Sequence, residues 1–388
     1  MVEEEPIEDL DIFNGSCWFV FVFVSFMEEQ KMKVLHVITS LRTGGAEKLM
    51  VDLLPRMKQK GYEVDLCVFD GTKTPFYEEL EHRGINILPL HKKGGMYSVW
   101  NAYKLVSMIR NYDIVHAHNT PAQICTAIAN RFVKTRLITT EHSTNNRRRG
   151  KWWLKALDNW LYRQFECIIC VSDIAAENIK SYVESDDIHT ITIPNGINTK
   201  EYEDAIPSRN FIEKFFGIKR IAMVAGFRYE KDQNTVIRAV SFLPQDYHLF
   251  LIGDGDRRNE LEQLVGSWGL KERVHFLGIR KDVNELLKAM DVVVMSSHRE
   301  GLSLSSLEGM ASGKPFVASD VEGLREIVGG YGVLFPHEDE HALAEAIKHV
   351  CEDKVYAAQV AERCQQRARM FDINVMVRNY LSLYESGV

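Results

Sequence analysis

Two glutamates, Glu300 and Glu308, bound the stretch EGLSLSSLE, and the seven residues between them are small or apolar. Ionised carboxylates are costly to bury unless they are paired or bind something. The preceding run DVVVMSS (291–297) has the composition of a buried strand, so Glu300 follows a strand end and Glu308 lies in the next helix. A carboxylate in such a place can accept hydrogen bonds from the hydroxyls of a sugar. The spacing therefore predicts a ligand site with one carboxylate on each side.

The start of that helix adds an anion site. Backbone N–H groups from about Leu302 to Ser305 would point out of the first turn, where a diphosphate is favoured. Glu308 would accept both hydroxyls of a ribose, as carboxylates do in nucleotide sites. A purely structural alternative is a capping box between Ser305 and Glu308, but it leaves Glu300 and the small residues around it unexplained. The stretch is thus predicted to bind a sugar nucleotide.

A pair of glycines, Gly44 and Gly45, lies in SLRTGGAEKL (40–49), between the first predicted strand and the first predicted helix. Glycine lets a ligand approach the backbone closely, and a helix N-terminus favours anions. The spacing matches neither the glycine triplet of a dinucleotide fold nor a Walker loop. A tight strand-to-helix turn also uses glycine, so a phosphate site and a structural turn both stay open.

Alternating strands and helices must position these residues. Near-continuous β-branched runs separated by amphipathic helices predict parallel strands covered on both faces. The predicted strands are 33–39, 63–69, 85–90, 114–118, 136–142, 167–172 and 188–195, and then 220–227, 248–255, 274–278, 291–297, 315–320 and 331–335. The pattern predicts an α/β protein with two doubly wound, Rossmann-like parallel sheets facing each other across a cleft. Ligands of such sheets bind at the carboxyl ends of the strands.

The same pattern predicts the domain limits. Residues 32–205 form the first domain, residues 206–355 the second, and the helices of residues 356–388 are expected to pack back towards the first. Residues 1–31 are expected to be a leader outside the fold. Their apolar run CWFVFVFVSFM (17–27) has 11 residues, whereas a membrane helix needs about 20, and no basic segment precedes it as in a signal peptide.

Charge is distributed unevenly between the two halves. Residues 32–200 carry 23 Lys and Arg against 17 Asp and Glu, and residues 201–388 carry 23 against 29. The basic first half indicates an anionic partner, although no nucleic-acid partner is predicted. The seven cysteines, which lack regular spacing, favour a reducing compartment. We therefore expect a cytoplasmic protein.

Several further motifs follow one another in a fixed order. Beside the glycine pair and the Glu-x7-Glu stretch, they are VHAHN (115–119), IPNGI (193–197), FRYEKDQ (227–233), HFLG (275–278) and SGKPFVASD (312–320). In this order the chain resembles the retaining glycosyltransferases of family 4 (group 1), which have the GT-B fold and include enzymes of bacterial polysaccharide biosynthesis. The resemblance covers about residues 33–385.

The resemblance implies roles for residues of the second domain. Glu300 would bind the donor sugar, Glu308 the ribose, and Lys231 would neutralise the leaving diphosphate. Such families carry an arginine five residues before that lysine, where this chain has Gly226, and Arg228 is expected to supply the missing charge. The backbone amides that would hold the diphosphate and sugar are those of Gly301, Leu302, Ser303 and Leu304.

In the first domain the resemblance points to His118, the second histidine of VHAHN. It matches the family position that meets the donor sugar near the acceptor, and the alternative is a structural histidine with satisfied hydrogen bonds. His142, at the end of TTEH, is the candidate for lining the acceptor cleft.

The segment NNRRRGKWWLKALDNWLYRQF (145–165) combines basic and aromatic residues at near-helical spacing. Such a helix suits an anionic membrane surface or a lipid-linked acceptor. The alternative is a docked helix whose tryptophans belong to the core, and both interpretations stay open. The residues named for an acceptor or membrane role are Arg147, Arg148, Arg149, Trp152 and Trp153.

The predicted function is transfer of a hexose or N-acetylhexosamine from a nucleotide diphosphate sugar, with uridine favoured, to a glycan or lipid-linked glycan in surface polysaccharide assembly. The resemblance implies retention at the anomeric carbon, and Lys231, Arg228 and helix N-termini would stabilise the leaving group. No cofactor and no metal ion is expected, and the enzyme would work in the cytoplasm or peripherally on the inner face of the plasma membrane. Two alternatives stay open: a nucleotide-sugar epimerase of the same architecture, and a non-catalytic sugar-nucleotide-binding scaffold.

Overall fold

Two parallel sheets form the framework of the protein. The structure is a computed structural model that describes residues 31–42, 44–96, 98, 100–142, 152–183 and 188–386, without the side chains of residues 152–154. In this part of the chain a seven-stranded sheet has the order β3-β2-β1-β4-β5-β6-β7, and a six-stranded sheet has the order β10-β9-β8-β11-β12-β13. The predicted α/β class, with two Rossmann-like sheets, is confirmed.

The elements of the first sheet alternate strand and helix along the chain. The strands are β1 (Lys33–Ile38), β2 (Glu63–Asp70), β3 (Asn86–His91), β4 (Ile114–His118), β5 (Arg136–Glu141), β6 (Cys167–Cys170) and β7 (Thr190–Thr192). The helices are α1 (Gly45–Gln59), α2 (Pro75–His82), α3 (Trp100–Ile109), α4 (Thr120–Asn130), α5 (Trp152–Tyr162) and α6 (Asp173–Val183).

The second sheet repeats the alternation. Its strands are β8 (Lys219–Val224), β9 (Tyr247–Ile252), β10 (Val274–Gly278), β11 (Val292–Met295), β12 (Phe316–Ser319) and β13 (Val333–Phe335). The helices after β7 are α7 (Thr199–Glu203), α8 (Arg209–Lys214), α9 (Gln233–Ser241), α10 (Arg258–Ser267), α11 (Val283–Lys288), α12 (Leu304–Ala311), α13 (Glu322–Val328), α14 (Glu340–Glu352), α15 (Lys354–Arg369) and α16 (Ile373–Ser386). A short 3-10 turn, Tyr229–Lys231, precedes α9.

Side chains of the first sheet alternate between two separate cores, as the period of a strand requires. In β1, Val34 and Ile38 belong to the core on the face covered by α1 and α16, whereas Leu35 and Val37 belong to the core on the opposite face. His36 lies between them in sequence and faces the α16 side with Val34 and Ile38. A polar ring therefore lies within an apolar face.

The last two helices divide between the domains. Helix α15 joins the second core through Val360, Cys364 and Ala368, whereas α16 packs on the first sheet, where Tyr380 and Tyr384 are fully buried. The segment that packs back on the first domain thus begins at Ile373, while the sequence placed its start at residue 356.

Two chain segments cross side by side where the domains join. The amide of Ile197 donates to Phe371 O over 3.0 Å, and the amide of Ile373 donates back to Ile197 O over 2.7 Å. A Cβ atom on Gly196 would lie 2.7 Å from Ile373 Cα, so only glycine fits. Among the described residues, no helix has the length and apolar character needed to span a membrane.

Candidate active site

The start of α12 presents an anion site at the carboxyl edge of β11. Ser303 is the N-cap residue, and its side chain accepts a hydrogen bond from the amide of Ser306 at 3.4 Å. The amides of Leu304 and Ser305 have no acceptor within the described part of the chain. The exposed positive end of the helix therefore points out of the strand end, as the sequence predicted for a diphosphate.

The capping box predicted as an alternative role for Glu308 is wrong. The cap is Ser303 rather than Ser305, so Glu308 lies five residues beyond the cap, not three. Glu308 is 8% exposed, and burial raises the pKa of its carboxyl group. Since it does not cap the helix, a different reason for this costly carboxylate is needed.

Glu300 is held between two loops of the second domain. It forms an ion pair with Lys231 from the 3-10 turn, and Ser297 Oγ lies 3.2 Å from its Oε1 atom. The backbone fastens the same two loops, because the amide of His298 donates to Glu230 O over 2.8 Å. The chain thus places one carboxylate and one cation together beside the free end of α12.

Arg228 lies next to the position where the resemblance expects an arginine. A Cβ atom on Gly226 would lie 3.8 Å from Arg228 Nε, so the guanidinium group folds back over the glycine. Arg228 is exposed, and no hydrogen bond or ion pair holds its side chain within the described residues. Its charge is therefore available to a ligand.

Glu308 lies at a second, narrower junction between the domains. A small cavity there is lined by Glu308 and Leu304 of α12, Lys48 of α1 and Tyr202 of α7. The charge of Lys48 opposes the effect of burial on the pKa of Glu308, and Tyr202 hydrogen-bonds the carboxyl group. The sequence analysis did not identify Lys48 or Tyr202. The signal for Lys48 was its place in the first turn of a helix, where the macrodipole disfavours cations.

The glycine pair lies at the start of α1, as predicted. A Cβ atom on Gly44 would meet Glu47 Oε2 at 2.1 Å, whereas one on Gly45 would have no neighbour within 4 Å. Gly44 is therefore required by a close contact within the protein, namely with the Glu47 carboxylate, and Gly45 leaves open space.

Asp70, at the end of β2, fastens this loop. Its carboxylate accepts hydrogen bonds from Arg42 (3.1 Å), Gly94 N (2.8 Å) and the Thr72 hydroxyl (2.6 Å). Burial alone would raise the pKa of Asp70, but these donors together lower it to about 2. Asp70 thus ties together the loops after β1, β2 and β3.

Histidines cluster at the carboxyl end of the first sheet. His118 is fully buried, and its two ring nitrogens lie 2.9 Å from His36 Nδ1 and 3.1 Å from His142 Nε2. His116, stacked on His118, lies 2.7 Å from Thr140 Oγ1 and also bonds the Tyr384 hydroxyl of α16. The predicted residues His118 and His142 therefore lie together, joined by His36, which the sequence analysis did not identify.

The remaining acceptor and membrane candidates are only partly visible. Arg147, Arg148 and Arg149 lie outside the described residues, and Trp152 and Trp153 open α5 without described side chains.

A cavity of about 540 Å³ lies between the two domains beside Glu300. Its walls combine Ser172, Asn178 and Tyr182 of the first domain with Arg299, Glu300, Glu322 and Gly323 of the second. Nearby, burial raises the pKa of Glu326, and the charges of Glu322, Asp173 and Glu177 raise it further. The cavity therefore has an acidic wall, and it contains Glu300 but not His118.

Two groups of side chains place possible metal ligands close together in the described residues: His36, His116 and His118, and Asp232, His298 and His337. In the first group the ring planes are inclined by only 9–26° and the rings are stacked. Lone pairs of stacked imidazoles lie in the ring planes and do not converge on one point. In the second group Asp232 already accepts from Ser296 Oγ at 2.7 Å and from Thr235 N at 3.3 Å.

The sequence matches two family profiles that together cover both domains. Residues 43–201 match "Glycosyltransferase Family 4", and residues 218–353 match "Glycosyl transferases group 1".

Relatives agree with this match. The chain is 25% identical to UDP-Gal:alpha-D-GlcNAc-diphosphoundecaprenol alpha-1,3-galactosyltransferase of Escherichia coli, over 84% of this chain and 89% of the relative. It is 27% identical to N-acetyl-alpha-D-glucosaminyl L-malate synthase of Bacillus anthracis, over 72% and 76%. The fold is similar to the crystal structure of Anabaena HepE in complex with UDP-glucose, with a TM-score of 0.78, 24% identity, and coverage of 90% of this chain and 99% of the other.

The two facing parallel sheets, with polar site residues at their carboxyl edges, define a GT-B protein. The chain belongs to the group 1 glycosyltransferases.

Proposed function

We propose that the protein is a retaining glycosyltransferase that moves a hexose or N-acetylhexosamine from a UDP-sugar to a lipid-linked glycan. The observation that carries the proposal is the Glu300–Lys231 pair, which lies beside the unpaired amides at the start of α12 and opens on the cavity between the domains. A diphosphate fits the helix end, a sugar hydroxyl fits the carboxylate, and an acceptor can enter from the first domain.

The proposed reaction breaks the bond between the anomeric carbon and the diphosphate oxygen. A bond from the acceptor oxygen forms on the same face, and the acceptor proton passes to the leaving diphosphate. Lys231, Arg228 and the α12 amides would stabilise the charge that develops on that diphosphate, which is the largest contribution such sites usually make. Because these groups are cations and dipoles, the proposal needs no cofactor or metal ion.

Similarity and charge support the choice of substrates. The name of the Escherichia coli relative includes a UDP-sugar and a diphosphoundecaprenol acceptor, and Anabaena HepE was solved with UDP-glucose. The acidic wall made by Glu322 and Glu326 disfavours a phosphate in the cavity. We therefore place only the uncharged terminal sugar of the acceptor there, with its diphosphate-lipid bound by the basic first domain.

The test is whether donor cleavage depends on an acceptor. The purified protein is incubated with UDP-glucose, UDP-galactose and their N-acetylated forms, with and without an undecaprenyl-diphosphate-linked sugar, and UDP and the sugar products are measured. We expect UDP release only in the presence of the acceptor, with retained anomeric configuration. An epimerised donor without acceptor would instead support the epimerase, and donor binding without any UDP release would support the scaffold.

The basic-aromatic segment supports peripheral attachment to an anionic membrane as part of the proposal. Replacing Arg147, Arg148 and Arg149 together with Ala should slow transfer to an acceptor embedded in anionic vesicles, and high salt should slow the wild type similarly. A short-chain soluble acceptor is the control and should react equally with both proteins. Equal rates with the vesicle-bound acceptor would contradict membrane attachment through this segment.

A further inference from the structure

A row of three imidazoles crosses the first sheet beneath α16. His36 Nδ1 lies 2.9 Å from His118 Nε2, and His118 Nδ1 lies 3.1 Å from His142 Nε2. The rings belong to neighbouring strands, β1, β4 and β5. His36 lies two residues before the end of β1, His118 is the last residue of β4, and His142 follows β5 directly. The row therefore leads from inside the sheet to its carboxyl edge.

Burial keeps these rings uncharged. It lowers the pKa of His36 to about 3 and that of His142 to about 4. It holds the pKa of His118 well below its usual value, with a further lowering from His116, His36 and His142. At neutral pH each ring of the row thus carries one N–H group and one bare nitrogen.

The two hydrogen bonds couple the protons of all three rings. Both nitrogens of His118 are used, so if it donates to His142 it must accept from His36, and the reverse also holds. Only two arrangements satisfy both bonds. In one, every ring is protonated at Nδ1, which leaves a bare Nε2 on His36 and an N–H on His142. In the other, every ring is protonated at Nε2 and the two ends exchange roles.

The surroundings of the two ends decide between these arrangements. His36 Nε2 and His142 Nδ1 are both buried and have no partner within the described residues. A buried N–H without an acceptor is rarer than an unpaired acceptor. His36 is fully buried, whereas His142 is partly exposed at the edge, where open α/β sheets meet their ligands. The Nδ1–H arrangement therefore places the bare nitrogen inside and the N–H at the edge.

We propose that His36 is a positioning residue that acts through His118 to fix His142 as an N–H donor to a sugar oxygen in the cleft. The inference rests on the proposed function for the identity of that ligand. His118, whose two nitrogens are both bonded, is the link in the row, and the nitrogen that remains for the sugar is Nδ1 of His142. This assignment explains why a polar ring at position 36 lies in an apolar face of the sheet.

The first test reads the protons directly. In the full-length protein labelled with ¹⁵N-histidine, ring nitrogen chemical shifts distinguish a protonated from a bare nitrogen. We expect Nδ1–H at His36, His118 and His142 without any substrate. An Nε2–H at His142 would overturn the proposal. This measurement needs no turnover, so its result stands apart from the success or failure of the proposed reaction.

The second test uses two variants that differ in where they place a hydrogen-bonding group. The Asn side chain in His36→Asn occupies the Nδ1 position and can keep the bond to His118, whereas the longer Gln side chain in His36→Gln occupies the Nε2 position and cannot. We expect kcat of His36→Asn within about threefold of wild type. For His36→Gln we expect about a tenfold lower kcat and little change in KM for the donor.

Tyr384→Phe is the control for a purely structural effect. It removes the bond to His116 in the same core but leaves the row intact, so it should lower Tm without changing kcat or the His142 signal. Equal losses of kcat in His36→Asn and His36→Gln, with unchanged His142 signals in both, would overturn the proposal. If His36→Gln does not fold, the spectra of the wild type and of His36→Asn still decide it.

Discussion

At the residue scale, spacing along the chain identified the groups that lie close in sequence to a strand end. Glu300 and Lys231 were both named from sequence, and the structure pairs them. Lys48, Tyr202, Asp70 and His36 were not named, because each acts through a partner far away in the sequence. His36 and His118, for instance, are 82 residues apart. No local pattern reports such a contact.

Asp70 gives a pH-dependent prediction at this scale. Its pKa in the folded protein is about 2, below the ordinary value of 3.8. Ionised Asp70 therefore stabilises the fold above about pH 4, and this contribution is lost as the pH falls from 3.8 towards 2. Asp70→Asn should lower the free energy of unfolding at pH 7, and the difference from wild type should shrink as the pH falls from about 5 to about 3.

Urea unfolding at several pH values measures this difference. Asp256→Asn, at an exposed position, serves as the matched control and should show no such trend. A constant difference between wild type and Asp70→Asn across this range would show that the carboxylate does not fasten the loops through its charge.

At the element scale, the sequence predicted the strands better than the helix starts. The period of the apolar residues fixed the strands, although 188–195 shortened to Thr190–Thr192 at the sheet edge. The start of α12 was harder to place, because Ser303, Ser305 and Ser306 can all act as caps. The choice depends on the preceding turn, whose backbone packs against Gly323 of α13. Such packing between elements is invisible in the local sequence.

That contact gives a prediction for Gly323→Ala. The added Cβ would lie 2.4 Å from the carbonyl oxygens of both Glu300 and Gly301, so the loop that carries Glu300 must move. Overpacking of this kind typically costs about 1–3 kcal/mol. We expect a lower Tm and a fall in kcat/KM of roughly tenfold or more, since small misplacements in active sites are costly.

Gly266→Ala in α10 is the control, because its Cβ would find only Lys271 Cε at 3.4 Å. It should leave kcat/KM unchanged. If both variants retained full activity, the position of the Glu300 loop would not depend on α13.

At the scale of the whole molecule, the two halves of opposite charge meet across the cleft. The basic first domain supplies Lys48 to the cavity that contains Glu308 of the acidic second domain. Composition indicated this asymmetry, but the way the domains are tied could not be predicted. The bond between His116 and Tyr384 spans 268 residues, and it depends on α16 returning to the first sheet after α15 has packed on the second.

The most direct measurement of the central claim compares binding and turnover in Glu300→Gln. The amide keeps the size of the side chain but removes the charge that faces Lys231 and the sugar. We predict that UDP, which lacks the sugar, binds the variant about as tightly as the wild type by calorimetry. Transfer from the UDP-sugar to the acceptor should fall by about 100-fold or more. Glu338→Gln, at an exposed glutamate, should retain full transfer. Near-normal transfer by Glu300→Gln would contradict the account.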